Sequence, residues 1–183
     1  MRSFAIVSRA QPLYRRLLGE RFDSLPEALR RFHDAPGGGR AHGTLQVERA
    51  GGWFRGALAS LLGLPEAGKN VPVVVEVKVE GDRERWVRHF AGRRVETVQW
   101  MRGELLMESS GATSFSSALS LEGSCLRYEF RRAWFAGIRL PRRLAPSVDG
   151  RVDAGDGGWR LAVGISAPLF GELVRYEGWV EPE

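Results

Sequence analysis

VPVVVEVKVEGDRERWVRHFAG, residues 71–92, decides the fold. Val73, Val75, Val77 and Val79 fall on one side of an extended chain, and Val74, Glu76, Lys78 and Glu80 fall on the other. A period of two is the signature of a strand, and Pro72 is tolerated where a strand begins. Gly81-Asp82-Arg83 then turns the chain back into a second run. There Trp86, Arg88 and Phe90 share a side opposite Val87 and His89, so whichever side is buried takes something polar with it.

The same alternation extends outward in both directions. Upstream, Thr44, Gln46 and Glu48 alternate with Leu45, Val47 and Arg49. Downstream, strands are predicted at 95–101, 104–108, 113–121, 126–135, 148–153, 159–167 and 173–180, with turns at Arg102-Gly103, Gly111, Gly123-Ser124 and Gly155 to Gly158. About nine or ten antiparallel strands with short connections exceed what a flat sheet manages, so the expectation is a strongly curved antiparallel sheet or a β-barrel. Curling also minimises exposed edges. A barrel of this size is either filled by its own side chains or holds one small ligand. Its inward set is mixed: Phe115, Leu119 and Leu121 alternate with serines and Ala118, and Leu126, Tyr128 and Phe130 alternate with Arg127, Glu129 and Arg131. Gly164 and Gly178, inside strands, suit bends or the close approach of another group.

Two short helices precede the sheet. Pro12 followed by LYRRLLGERF puts Leu13, Leu17 and Leu18 on one face, with Gly19 at the end. In SLPEALRRFHD, Ser24 is placed to cap and Leu25, Leu29 and Phe32 form the apolar stripe, ended by Asp34 and the run Pro36 to Gly39. The stretch 53–64, WFRGALASLLGL, is an apolar helix inserted after the first strand. It reads either as a helix packed on or plugging the sheet, or as a flap (Trp53, Phe54, Leu58, Leu61) over a pocket or into a membrane interface. Interfacial helices carry a more cationic polar face than this one. In AWFAGIRLPRRLAPSVDG, Pro141 and Pro146 force extended geometry on the residues before them, which predicts a rigid crossing loop. The fold class expected is therefore α+β, mainly β. One domain spans 1–183, with a helical segment at 12–34 and a β-rich body at 41–181.

Composition narrows the function. The chain of 183 residues carries a net charge of +5, but the excess is thinly spread and the stretch from residue 151 onward is net acidic. Lys69 and Lys78 are the lysines and all other basic side chains are arginine, a bias that codon usage produces without selection for binding. That distribution argues against a nucleic-acid partner. Cys125 is the sole cysteine, which removes intramolecular disulfides and cysteine-based zinc sites and fits a reducing, cytoplasmic setting. Phe4 to Val7 is too short for a secretory apolar core, and no window is long and apolar enough for a membrane span.

LYRRLLGERFDSLPEALRRFHD, WVRHFAG, GIRLPRRLAP and LVRYEGWVEP together resemble a bacterial family classed as a domain of unknown function, over about Leu13 to Pro182. The resemblance implies a domain that stands alone or is appended to saccharopine-dehydrogenase-like NAD(P)-binding proteins, and hence a dehydrogenase-like protein as possible partner. It implies recurrent positions at His33, Trp86, Arg88, Phe90, Gly137, Pro141, Pro146, Tyr176 and Gly178, and it brings no activity. The chain has no GxGxxG after a strand, so it lacks a nucleotide-binding half of its own.

His33, with Asp34 beside it, and the separated His42 and His89 are the material for acid–base chemistry. Adjacent helical residues do not face each other, so Asp34 is a poor orienter, and an exposed or helix-capping His33 is the simpler reading. No metal-ligand spacing is present, no cofactor is indicated, and there is no GxSxG. Arg88 carries more information. Buried between Trp86 and Phe90, a guanidinium requires a carboxylate, an aromatic stack or an anionic ligand. An internal pair with a glutamate such as Glu129 or Glu177 is one solution and an acidic amphiphile such as a fatty acid is the other, and Arg132, Arg175 and Tyr176 are placed to join either. The leading reading is a binding module for a small apolar or acidic amphipathic molecule, with Arg88, Trp86, Phe90, Tyr128, Trp134, Arg175 and Tyr176 as the candidate ligand-binding set. A hydrolase or isomerase using His33 or an Arg-assisted carboxylate is the rival. A filled interaction domain docking on the NAD(P)-dependent partner is the third reading.

Overall fold

The strands follow one another as β1 (Arg40–Arg49), β2 (Gly68–Glu80), β3 (Arg83–Phe90), β4 (Arg93–Arg102), β5 (Leu105–Ser110), β6 (Thr113–Glu122), β7 (Cys125–Phe135), β8 (Ile138–Arg139), β9 (Ser147–Ala154), β10 (Trp159–Ala167) and β11 (Gly171–Pro182). These bounds come from a computed structural model that describes residues 11–53 and 64–183. Every pairing is antiparallel, and from β1 to β7 and from β9 to β11 each joins neighbours in sequence; β8 is a two-residue spur on β7, and β9 takes the next place in the wall. β11 returns to β1, pairing Ala41 with Pro182 through Arg49 with Val174, and the ring closes as a barrel of ten strands. Closure leaves no free edge strand in the wall among the described residues, the outcome expected for so many strands, although β7 and β9 are joined over a short stretch.

Two short helices close one end. α1 (Leu13–Leu18) runs through a 3₁₀ turn (Gly19–Ser24) into α2 (Glu27–Asp34). Leu13, Tyr14, Leu18, Phe22, Leu25, Leu29 and Phe32 are buried in one cluster with Val73, Val75, Val77, Trp86 and Trp159 of the barrel. Full burial of each large apolar side chain contributes on the order of 1.5–3 kcal/mol, so this plug is a principal part of the core. The buried face of α1 uses Tyr14 where the periodicity points to Leu17, which is only partly buried. Ser24 ends the 3₁₀ turn and makes no capping bond; Pro26 occupies the position before α2, as its fixed backbone allows. The glycine run after α2 extends the sheet, with Val77 and Val79 amides donating to the carbonyls of Gly39 and Gly37.

Other boundaries shift for local reasons. β1 begins at Arg40 because the amides of β2 and β11 are already within reach there. Val79 leaves the valine stripe and is exposed, since β2 outruns the barrel at the helical end. The proline-containing stretch 136–146 does not cross the barrel: it is a side excursion between adjacent β7 and β9. Leu144 and Ala145 amides both donate to the Pro141 carbonyl there, at 2.9 and 3.0 Å. Because of it β7 and β9 pair only from Leu126 to Tyr128. Of the stretch 53–64, Trp53 is described and exposed, and Phe54, Leu58 and Leu61 lie outside the described residues.

Outward positions carry ion pairs such as Arg85–Glu80, Arg127–Glu122, Arg160–Glu177 and Arg175–Glu172. A wall so charged faces water, because a lipid-facing barrel wall is apolar. Among the described residues no helix is long and apolar enough to cross a membrane.

Candidate functional site

The barrel encloses a cavity of about 660 Å³. Its floor is the helical plug, through Tyr14, Leu29, Phe32 and His33; its rim, at the opposite end, includes Pro65, Gly111, Ala112, Phe135 and Pro146. Between the two, aliphatic and aromatic side chains dominate, with one polar belt across the wall. Strand alternation creates that belt: Trp86, Arg88 and Phe90 of β3, Thr97 and Gln99 of β4, Glu108 of β5 and Tyr128 of β7 all point inward.

The belt is a continuous chain of hydrogen bonds. Tyr128 donates its hydroxyl proton to the Tyr14 hydroxyl at 3.2 Å, and Tyr14 donates to Oε1 of Gln99 at 3.0 Å. Nε2 of Gln99 donates to Oε2 of Glu108 at 3.1 Å, while Nη1 of Arg88 donates to Thr97 Oγ1 at 2.9 Å and approaches Glu108 Oε1 at 3.4 Å. Burial pushes the Tyr14, Tyr128 and Tyr176 phenols up, so each keeps its proton; Tyr14 and Tyr128 donate it within the belt. The Arg88 guanidinium also lies 5.0 Å from the Trp86 ring centroid, a cation–π distance. Trp86 in turn donates from Nε1 to Glu84 at 3.1 Å, and burial raises the Glu84 carboxyl.

Among the described residues that line the cavity, Nε and Nη2 of Arg88, the Tyr176 hydroxyl, the His33 ring nitrogens and the Thr113 and Ser117 hydroxyls make no hydrogen bond within the protein. His33 stacks on Tyr14 with centroids 3.7 Å apart, and burial lowers it to about 3. It is thus a neutral member of the floor, neither exposed nor capping a helix. Asp34 does not orient it: no hydrogen bond joins the two, and both Asp34 oxygens accept from Arg15, at 3.4 and 2.8 Å. So weak a base has little proton affinity to offer a reaction near neutral pH. Among the described residues no group of three His, Cys, Asp or Glu side chains is placed to hold a metal ion.

Of the residues singled out from sequence, Trp86, Arg88, Phe90, Tyr128 and Tyr176 line the cavity together, Phe90 meeting Tyr176 edge to face at 5.7 Å. Arg175 alternates with Tyr176, points outward and pairs with Glu172 at 2.6 Å. Trp134 is also outside the lining set. β7 carries a bulge at Arg131, where Ser116 faces Arg132 and Ser117 faces Phe130; beyond it the alternation inverts, turning Phe135 inward in place of Trp134. Arg88 pairs with neither Glu129 nor Glu177: Glu129 binds Arg131 and Glu177 binds Arg160, both on the outer face. Tyr14, Thr97, Gln99 and Glu108 went unrecognised in the sequence. The polar pair Thr97 and Gln99, in step with Val95 and Met101, was the available signal. Among the recurrent positions named above, His33, Trp86, Arg88, Phe90, Pro146 and Tyr176 all face this cavity.

Residues 25–180 match the family described as Domain of unknown function (DUF4166). Gastrotropin of Oryctolagus cuniculus is 31% identical over 68 residues, covering 34% of this chain and 53% of that protein, so the chain spans about half the length of this curated relative. A secretary abundant heat soluble (SAHS) protein from Ramazzottius varieornatus superposes with a TM-score of 0.41 at 14% identity, over 78% of this chain and 92% of that one. Zebrafish ileal bile acid-binding protein, in complex with cholic acid, gives a TM-score of 0.39 at 14% identity, over 76% and 95% of the respective chains.

Proposed function

The chain belongs to this family of unknown function, and we propose that it is a carrier of a small acidic amphiphile held inside the barrel. The observation that carries the reading is Arg88, which lines an apolar cavity of about 660 Å³ with Nη1 held by Thr97 and Glu108 and with Nε and Nη2 engaged by no other described side chain. That is ordinary size for a small-molecule site, which combines apolar walls with a few convergent polar groups. The Nε–Nη2 edge of a guanidinium matches a carboxylate with two parallel hydrogen bonds, so the head group docks there without displacing the Glu108 contact. Tyr176 supplies a further donor beside it. The apolar tail lies against Phe90, Val95, Phe115 and Ile165 toward the rim.

Native mass spectrometry of the purified protein identifies any co-purified molecule of this kind. After its removal, displacement of a fluorescent fatty-acid probe is compared for hexadecanoic acid and hexadecanol. The acid is expected to bind about tenfold more tightly, the worth of one charge-assisted hydrogen bond, and Arg88→Met to erase the difference. If neither compound displaces the probe, the proposal fails.

A further inference from the structure

The open end of the barrel differs from its wall in both charge and polarity. Among exposed large apolar side chains, Phe135, Ile138, Leu144 and Leu169 lie at that end, together with Trp53 where β1 exits; Val79 and Trp179 lie elsewhere. Ile138 is 72% exposed at the tip of the β7–β8 hairpin, Leu144 is in the turn after it, and Leu169 is 73% exposed in the β10–β11 turn. Beside the hairpin a depression of about 350 Å³ is lined by Arg131, Arg132, Arg139 and Arg142, with Arg143 next in the chain. On the wall, Arg85, Arg127, Arg160 and Arg175 are each paired with a carboxylate. Arg132, Arg139, Arg142 and Arg143 have no carboxylate within ion-pair distance among the described residues.

Uncompensated cations cost stability through mutual repulsion, and bare aliphatic tips cost exposure to water. One partner relieves both at once: an anionic lipid bilayer, whose head groups neutralise arginines while its acyl boundary accepts isoleucine and leucine. We propose that the open end, centred on residues 131–144, docks on anionic membrane surfaces. Ile138, Leu144 and Leu169, the most prominent tips beside Trp53, are aliphatic and give a nucleic acid nothing to stack on, so the bilayer is favoured and stacking on Trp53 or Phe135 is left as an outcome of the test. Phe135 lines the cavity and is also exposed at this end, and Pro146 closes the same loop, so docking brings the cavity mouth against the bilayer. Docking at this end is independent of what the cavity holds.

The test is co-sedimentation of the whole chain with vesicles of phosphatidylcholine alone or mixed with phosphatidylglycerol, at low and high salt. The parent protein is expected to bind the mixed vesicles selectively and to be released by salt. Each arginine near the surface is worth roughly fivefold in partition, so Arg139→Glu/Arg142→Glu should lose well over tenfold. Ile138→Ser/Leu144→Ser, also in exposed turns, should lose binding while far-UV circular dichroism confirms the fold. Equal binding to neutral vesicles, either variant binding as the parent does, or retention on a single-stranded oligonucleotide without vesicle binding would each overturn the proposal.

Discussion

Nη1 of Arg88 and Oε1 of Glu108 face each other at 3.4 Å inside the barrel, from strands separated by β4. Both side chains are largely buried, so the pair sets the charge of the cavity: Glu108 offsets Arg88 and repels any anion that approaches it. Glu108→Gln removes the repulsion, keeps an acceptor near Arg88 and leaves Thr97 in place. The expected result is hexadecanoate binding tightened by about three- to tenfold, read by probe displacement, with hexadecanol unchanged.

Tyr14 is the hinge pin between plug and wall, accepting from Tyr128 and donating to Gln99. Tyr14→Phe keeps the ring that stacks on His33 but leaves a buried Gln99 oxygen unmatched, and should destabilise by about 1–2 kcal/mol. Tyr128→Phe removes only the terminal donor of the chain and should cost about half as much. Urea midpoints with an unchanged slope measure both.

His33 makes acid stability steep. Its folded value of about 3 lies below the usual histidine range, and burial is the cause, only partly offset by Asp34. Below about pH 6.5 the unfolded chain binds a proton that the folded chain refuses. The stability from a neutral His33 is therefore complete above about 6.5 and is lost as pH falls toward 3, by up to about 1.4 kcal/mol per unit. Glu84 acts in the opposite sense, since its raised carboxyl favours the folded state as pH falls through its own window. His33→Phe should flatten the fall in thermal midpoint between pH 6 and pH 4; an unaltered slope would assign the acid sensitivity elsewhere.

Gly178 and Gly164 look alike in sequence and should behave differently. A Cβ on Gly178 would lie 2.1 Å from the Thr44 carbonyl oxygen, across the β1–β11 seam that closes the barrel. On Gly164 it would meet nothing nearer than a Glu172 oxygen at 3.9 Å. Gly178→Ala should therefore destabilise by about 1–3 kcal/mol or more, and Gly164→Ala stay within about 0.5 kcal/mol. Thermal melts of the two variants side by side check the contrast.

Much of the wall was legible because strand alternation is local. The runs at 83–90, 113–122 and 159–167 declare themselves within a few residues, and their turns carry glycine where the chain reverses. Two kinds of information were hidden. A bulge is one inserted residue without a residue-type signature, so Arg131 could reverse the facing of Trp134 and Phe135 unannounced. Partnership across a sheet depends on register, so nothing near Arg88 in the chain pointed to Glu108.

By itself the sequence determined a mainly antiparallel β architecture with a helical start and an arginine on an apolar strand face, because periods of two and near four are written residue by residue. Tertiary structure alone decided that the face points into a cavity, that Tyr14 and His33 form its floor, and which carboxylate meets Arg88. Ring closure between β1 and β11 and the insertion of the plug bring together side chains as far apart as Tyr14 and Tyr128, and such distances are settled by global packing.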